Sequence, residues 1–506
     1  MGESTVARAE VPGENRAWSR RASLMWAAAI FVVALTARLV PVVRGGGLTG
    51  IIDDDDGVHF ASAIGLVNGH LPYRDFLLLH PPGIVLVLSP FAGLALLIGE
   101  PMAFGAARLA FMALGGFNAV LVAHYLRLYG NFGAVVGGLL YALFWPAVFT
   151  EHSVLQEGLG NTCLLAALVL LAPPAARGPS KIRMVGAGCF LGLAAAVKIW
   201  AVLPALIMFG WAFFLLGGRR AAHFLLGAIG TCTAACLLFF ISAPRAMWRM
   251  VVLDQLQRNP ASAHAAERLR DVLGLVVLPA DGFSAALVVA LAIVSAGCVI
   301  GWASELARPA ILLLVAFTVL LLATPTWFFH YSGLTAAVLA ITAGAAAQRL
   351  RDLSANNRRI AGVAVVVVAT AGLLAAAVGP LLARSGDRFP RSEFTAAVTG
   401  ARCVTSDHPS ALILTNRVAT NISNGCPLVV DLGGTAHHLR PSRAGASRAR
   451  NQAFQAFALE YLASGDRTII ARFTQNNGFN ENTSKMVNSW RLLAQSGRYA
   501  VRVPSS

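Results

Sequence analysis

Charge is what this sequence has least of. Aspartate, glutamate, lysine and arginine make up 13% of its 506 residues, against roughly 25% in an ordinary soluble protein. With 57% of the residues hydrophobic, that shortage excludes a wholly soluble chain. It is also uneven: residues 22–383 are a series of apolar runs, whereas 384–506 have an ordinary polar composition. A run of about 20 apolar residues spans hydrocarbon as a helix, which satisfies its own backbone groups there. The fold class read from this is a mainly α polytopic membrane protein with about eleven transmembrane helices and a small C-terminal α/β extracytoplasmic domain. Its divisions are a cytoplasmic N-terminal segment over 1–21, a transmembrane domain over 22–383 with a first outer loop at 44–103, and a soluble domain over 384–506.

Acidic residues are the scarcer kind, 24 against 40 Lys and Arg, for a net charge of +16. Many of the basic residues sit in short loops that flank apolar runs, where they fix orientation, so nucleic acid is not an expected partner. Others lie in longer outer segments and can attract a phosphate-bearing lipid or anionic membrane lipid. The seven cysteines show no metal-ligand spacing. Cys163, Cys189, Cys232, Cys236 and Cys298 fall in or beside apolar runs as small hydrophobes. Cys403 and Cys426 are the one pair in the tail, and a disulfide joins them if the tail lies outside the cell membrane.

Arg16, Arg20 and Arg21 before the first run put the N-terminus in the cytoplasm. A cleaved signal peptide is the competing reading, disfavoured because the run Ala22–Val43 is long, contains Pro41 and lacks a small-residue cleavage site near its end. Residues 44–103 then lie outside. Asp53–Asp56, His59, His70, Arg74, Asp75 and His80-Pro81-Pro82 interrupt them, with an interfacial helix expected over 57–68 and an ambiguous run at 83–98. Further spans are expected at 105–126, 132–150, 155–172, 184–198, 200–217, 222–241, 283–302, 308–324, 331–347 and 360–383. The inner loops between them hold Arg177, Lys181 and Arg183, then Arg219 and Arg220, then Arg349, Arg351, Arg358 and Arg359. A basic amphipathic loop over 242–281 faces out with Arg245, Arg249, Arg258, Arg268 and Arg270. In the tail, strands are expected at 411–415, 428–432, 468–471 and 499–503 and helices at 450–463 and 484–496. Asp431-Leu432-Gly433-Gly434 reads as a strand-to-loop turn.

Ionisable groups at the membrane margin are costly, and function is their default explanation. Four adjacent carboxylates repel one another, so at least one should titrate high. A carboxylate in a partly dry cleft suits the role of general base for a hydroxyl. The other readings of Asp53–Asp56 are a solvated acidic turn or the N-cap of the helix that follows.

The stretch Asp55-Asp56-Gly57-Val58-His59-Phe60, with Ala63 and Gly69 after it, resembles the first outer loop of the GT-C superfamily of polyprenyl-phosphate-sugar glycosyltransferases. In that pattern an Asp is followed by an acidic residue, an aromatic four or five positions on and a Gly about fourteen on; Asp55, Phe60 and Gly69 meet it. Gly69-His70-Leu71-Pro72-Tyr73-Arg74-Asp75-Phe76 and His80-Pro81-Pro82-Gly83 are similar to strings in bacterial relatives of protein O-mannosyltransferases and aminoarabinose transferases. Glu157, Lys198 and the His330-Tyr331 pair match more loosely. The sequence departs where four aspartates replace an Asp-Glu pair and where His59 or Phe60 replaces a Tyr.

The resemblance implies a donor sugar on a polyprenyl phosphate, transferred with inversion to an extracytoplasmic glycan, glycolipid or protein acceptor of the cell envelope. The sugar would be of mannose or arabinose type, and Asp55 or Asp56 would be the base. The leaving phosphate needs positive charge, for which Arg74, Lys198, Arg245, Arg249 and Arg258 are candidates, with His330 and Tyr331 as hydrogen-bond donors. Glu157, His59 and His80 would form an acceptor or second acidic site. Lys198 could instead snorkel, the arginines after Ser242 could coat a helix on anionic lipid, and Glu157 could cap its helix. A divalent metal is compatible with so many Asp, Glu and His, but no spacing assigns one. The rival from another class is a transporter or lipid flippase, which would show internal repeats and midplane charges; the sequence shows neither. A scaffold that binds wall polymer, or an oligosaccharide ligase, are further alternatives.

Overall fold

The computed structural model describes residues 19–172, 178–258, 263–277, 282–356, 359–439 and 447–505. Arg16, Arg177, Asp281 and Arg358 lie outside the described residues. Helix α1 (Arg20–Arg44) begins where the Ser19 hydroxyl accepts from the Ala22 amide, and ends at Gly45 just after Pro41. The outer loop follows, with α2 (Asp54–Val67) and α3 (Gly83–Ile98). The Asp53 carboxylate accepts from the Asp55 amide at 2.9 Å, so Asp53 is the N-cap and Asp54–Asp56 fill the first turn, where the helix dipole favours anions.

Then come α4 (Glu100–Leu126), α5 (Asn131–Leu143), α6 (Trp145–Glu151) and α7 (Gln156–Leu171). Next are α8 (Lys181–Val197), α9 (Val202–Leu216) and α10 (Gly218–Ser242). The run expected as one span over 132–150 is the broken pair α5–α6, bent by 56° at Phe144, where Pro146 restarts the helix. The basic segment that follows holds short helices α11 (Pro244–Trp248), α12 (Asp254–Leu256) and α13 (Ala265–Val272). It precedes α14 (Ala285–Trp302), α15 (Ala307–Ala323), a 3-10 turn over Phe329–Thr335, α16 (Ala336–Asn356) and α17 (Arg359–Leu382). Among the described residues six helices are long and apolar enough to cross a membrane, seven if α5–α6 counts as one span, and α3, α7, α15 and 367–382 are shorter apolar helices. The protein is therefore a multi-pass membrane protein.

The tail opens with α18 (Arg391–Val398), β1 (Val404–Ser406), α19 (Pro409–Leu414), α20 (Val418–Ser423), α21 (Leu432–His438) and α22 (Gln452–Ala463). It continues with β2 (Arg467–Ile470), β3 (Thr474–Gln475), β4 (Gly478–Phe479), α23 (Glu481–Ser489), β5 (Arg491–Ser496) and β6 (Tyr499–Val503). One sheet runs β1-β2-β6-β5, with β1 parallel to β2 and the other pairs antiparallel. The strands expected near 468–471 and 499–503 are β2 and β6. The stretch 411–415 is helical instead, because the His408 ring caps a helix that Pro409 opens, and a short apolar run alone does not separate strand from buried helix. Residues 428–432 form no strand; Asp431 caps α21 through the Gly434 amide at 2.7 Å. The helix expected to reach 496 stops at Ser489, and the chain continues as β5 along β6.

One buried cluster spans the two parts. Phe60, Leu78 and Phe104 of the membrane part pack in it with Phe394, Val404 and Val501 of the tail. A second cluster fills the helix bundle, with Tyr141, Leu168, Phe224 and Phe317. The tail is thus seated on the first outer loop, and the acidic turn lies at the junction.

Candidate active site

The four aspartates have four different surroundings. Asp56 is shut away from water and bonded by Arg108 through Nε (3.1 Å) and Nη2 (2.5 Å), by the Ser153 hydroxyl (2.5 Å) and by the Ser410 hydroxyl (3.4 Å). Arg108 also donates to the Leu48 and Gly50 carbonyls and lies 3.8 Å from the Phe104 ring centroid. A carboxylate closed off from water and held by a buried guanidinium is out of a substrate's reach, which argues against Asp56 as the base and gives it a positioning role. Asp54 is claimed from the tail, by Nε2 of His408 at 2.9 Å and Nη2 of Arg472 at 2.6 Å.

Asp53 and Asp55 remain, and their environments push them apart. Burial, then the charges of Asp55 and Asp56, raise the Asp53 carboxyl well above the usual range. Burial would raise Asp55 too, but His330 and His59 outweigh it and bring its carboxyl below the ordinary value. The two carboxyls are thus shifted in opposite directions, the arrangement expected of an acid/base pair. The Asp55 side chain is 41% exposed, with Oδ2 3.8 Å from His330 Nε2.

Asp53, Asp54 and Asp55 line a cavity of about 120 Å³ together with His80, Arg258, His330 and Tyr331 of the membrane part, and with Asp431, Arg448 and Arg472 of the tail. Arg258 donates to the Tyr331 hydroxyl at 3.3 Å, and its Nε is buried without a partner among the described residues. Behind Tyr331, Lys198 pairs with buried Glu157 and stands 4.6 Å from the Tyr331 ring and 5.0 Å from that of Trp200. His330 Nε2 is 3.9 Å from Glu157. The His59 ring contacts the Val154 carbonyl through Nδ1 at 3.0 Å and packs edge-on against His80. Burial, and then the charges of His59 and Lys198, push His80 well below its ordinary value.

The structure thus brings Asp55, Glu157, Lys198, Arg258, His330, Tyr331, His59 and His80 together. It does not bring in three of the candidate arginines. Arg74 makes a two-point pair with its neighbour Asp75, at 2.9 and 2.8 Å. Arg249 is exposed and turns to Asp254 and the His438 carbonyl, while Arg245 is exposed on α11. None of the three lines the cavity. Arg38 pairs with Glu151 out of contact with water, and Glu151 also accepts from Asn118 and Tyr141.

Sequence reasoning missed the tail's share: His408, Asp431, Arg448 and Arg472 lie hundreds of residues from the acidic turn and follow no local pattern. Asp53, Asp55 and His330 each offer one ligand atom, all within 4.8 Å of one another. Two carboxylate oxygens and an imidazole nitrogen suit a divalent cation.

No protein-family model and no curated protein sequence matches the chain. Solved structures do resemble it. ArnT from Cupriavidus metallidurans bound to undecaprenyl phosphate superposes with a TM-score of 0.60 at 14% identity, over 95% of this chain and 98% of that one. Its apo form gives the same TM-score at 15% identity. The Archaeoglobus fulgidus oligosaccharyltransferase tethered to an acceptor peptide containing the NVT sequon gives 0.55 at 12% identity, over 90% of this chain and 69% of that one. The protein is thus a polytopic membrane protein built, over nearly its whole length, as these are. It has the fold that these solved structures share.

Proposed function

We propose that this chain is a glycosyltransferase that moves a sugar from a polyprenyl phosphate to a hydroxyl of an extracytoplasmic acceptor, with inversion. The observation that carries the reading is Asp55, half-exposed, in one cavity with Arg258, His330 and Tyr331. Asp55 would take the acceptor proton as the hydroxyl attacks the anomeric carbon. Polyprenyl phosphate would leave from the opposite face, with Arg258, Lys198, His330 and Tyr331 meeting the developing charge. Asp53 would stay protonated, and Glu157 would hold Lys198 in place. The neighbours support the donor class, since ArnT was captured with undecaprenyl phosphate and an A. fulgidus oligosaccharyltransferase with a dolichol-phosphate. A sugar of mannose or arabinose type remains part of the proposal.

The same reading sets the topology. Asp54 bonds to His408 and Arg472, so the outer loop and the tail share one side of the membrane and an even number of crossings separates them. With the N-terminus in the cytoplasm, about eleven spans and an extracytoplasmic tail over 384–506 satisfy this parity. The Cys403–Cys426 disulfide fits an oxidising compartment.

The deciding experiment is transfer from a labelled polyprenyl-phosphate sugar by the purified chain and by Asp55→Asn. Wild-type transfer with an inverted anomeric product, lost in Asp55→Asn, is expected; full activity of the variant would sink the assignment.

A further inference from the structure

Asp53 and Asp54 line two cavities: the one above, and an open groove of about 650 Å³. Four arginines line this groove: Arg44 at the end of α1, Arg384 and Arg388 after α17, and Arg498 before β6.

Backbone pairing brings them there. The Gly46 amide donates to the Ser385 carbonyl at 3.1 Å, Ile51 to Asp387 at 3.1 Å, and Asp387 back to Ile51 at 2.8 Å. The approach is too close for a side chain: a Cβ at Gly45 would stand 2.1 Å from the Ser385 oxygen, and one at Gly386, where φ is +76°, 2.5 Å from the Ile51 oxygen. Glycine at both positions therefore lets the segment that leaves the last helix lie flush against the segment that enters the acidic turn.

The charges in the groove do not cancel. Arg498 pairs with Asp387 at 2.8 Å, and Asp54 is taken by Arg472 and His408. Asp53 caps α2. Among the described residues Arg44 donates to a neutral carbonyl, that of Leu381. Arg384 and Arg388 are exposed, and no ion pair holds them among the described residues. Exposed arginines are usually just solvated. Here four guanidiniums share a concavity with the carboxyls of Asp53, Asp54 and Asp387, of which Asp387 is paired within the groove and Asp54 is held from the tail. A concave site with an excess of one sign focuses its field on a ligand of the other. Paired guanidiniums match the oxygens of a phosphate or carboxylate.

We propose that this groove admits the acceptor, and that the acceptor carries a phosphate or carboxylate near the hydroxyl that receives the sugar. The inference rests on the reading of Asp55 as base. Because Arg44 and Arg384 lie at helix ends, bulk anionic lipid headgroups are a second source of the same chemistry.

The test uses the purified full chain in nanodiscs of neutral phosphatidylcholine, a labelled polyprenyl-phosphate mannose or arabinose, and a cell-envelope extract split by anion exchange into unretained and retained fractions. Label is expected in the retained fraction. Arg384→Gln with Arg388→Gln is expected to raise the acceptor KM about tenfold with kcat changed by less than about twofold, the scale of one or two charge-assisted hydrogen bonds. The double Lys variant, which keeps the charge, is expected to restore most of the loss. Equal kcat/KM for the unretained fraction, an unchanged KM in the Gln variant, or an effect seen only when phosphatidylglycerol replaces phosphatidylcholine would each overturn the proposal. The two readings fail separately: Asp55→Asn should still bind the retained fraction in an arginine-dependent way, whereas an active Asp55→Asn with the KM effect intact removes the base and leaves the groove.

Discussion

Arg108 and Asp56 form an ion pair closed off from water, at the point where α4 passes the first turn of α2. Asp55, one residue earlier, is 41% exposed to the cavity. Adjacent carboxylates in one helical turn therefore have opposite tasks. Replacing Asp56 by Asn strands the buried guanidinium, and breaking a pair of this kind costs about 3–5 kcal/mol. Replacing Asp55 by Asn strands nothing. Asp55→Asn is accordingly expected to keep its thermal unfolding midpoint and lose about 10²–10⁴-fold in transfer, and Asp56→Asn to unfold at markedly lower temperature. Intrinsic tryptophan fluorescence in detergent, read beside the transfer assay, checks both. A stable, inactive Asp56→Asn with a fully active Asp55→Asn would reverse the assignment.

Lys198 is tied to Glu157 and flanked by the Trp200 and Tyr331 rings, so a simple deletion of its charge confounds two effects. Lys198→Met leaves Glu157 buried and unpaired; adding Glu157→Gln removes that penalty. If Lys198 meets the charge of the departing phosphate, the double variant should fold as well as wild type and still fall about 10²–10³-fold in kcat. Recovery of activity in the double variant would show that Lys198 only neutralises Glu157.

The split between what was and was not legible in the sequence follows the range of the interactions. Apolar runs reveal helices because each span satisfies its own backbone, though the run over 132–150 is broken in two and the one over 331–347 opens in a 3-10 turn. The Asp55–Phe60–Gly69 spacing was legible because it lies on α2 and the turn that follows it. Asp56 could not be told from Asp55, since the difference is made by Arg108, Ser153 and Ser410, which only the fold brings near. Arg74 looked available but is held by Asp75. In the tail, Ala411–Leu414 resembled a strand because nothing local reveals that His408 caps a helix there.

The contact between Asp54 and the tail should weaken in acid. Burial would raise the Asp54 carboxyl, but the hydrogen bond from His408 and the charge of Arg472 outweigh it and hold it below the ordinary range. A depressed folded value stabilises the fold fully above the unfolded value of about 4 and is lost as pH falls through the depressed one. The unfolding midpoint should therefore stay level with respect to this group down to about pH 4 and decline below it. Arg472→Gln removes one source of the depression, so its midpoint should start lower at neutral pH and lose less on acidification. Parallel declines in the two proteins would mean that Asp54 is not what couples the tail to the turn.

The disulfide allows the same coupling to be tested from the tail. Cys403 and Cys426, 23 residues apart with Cα atoms 5.7 Å from each other, join the residue before β1 to the stretch after α20. Closing a loop of that length restricts the unfolded chain by about 3 kcal/mol. It also anchors the helix α19 that bears Ser410 and follows His408, the two tail residues bonded to Asp56 and Asp54. Cys403→Ser with Cys426→Ser is expected to lower the unfolding midpoint and to reduce transfer by loosening those contacts, while reduction of the wild type should reproduce both effects. The bond also reports the side of the membrane. In intact cells a membrane-impermeant maleimide should label the tail only after an impermeant reductant has been added. Labelling that requires permeant reagents would place the tail in the cytoplasm and remove the acidic turn from the outer face with it, whereas impermeant labelling without reductant would keep the tail outside and overturn the disulfide.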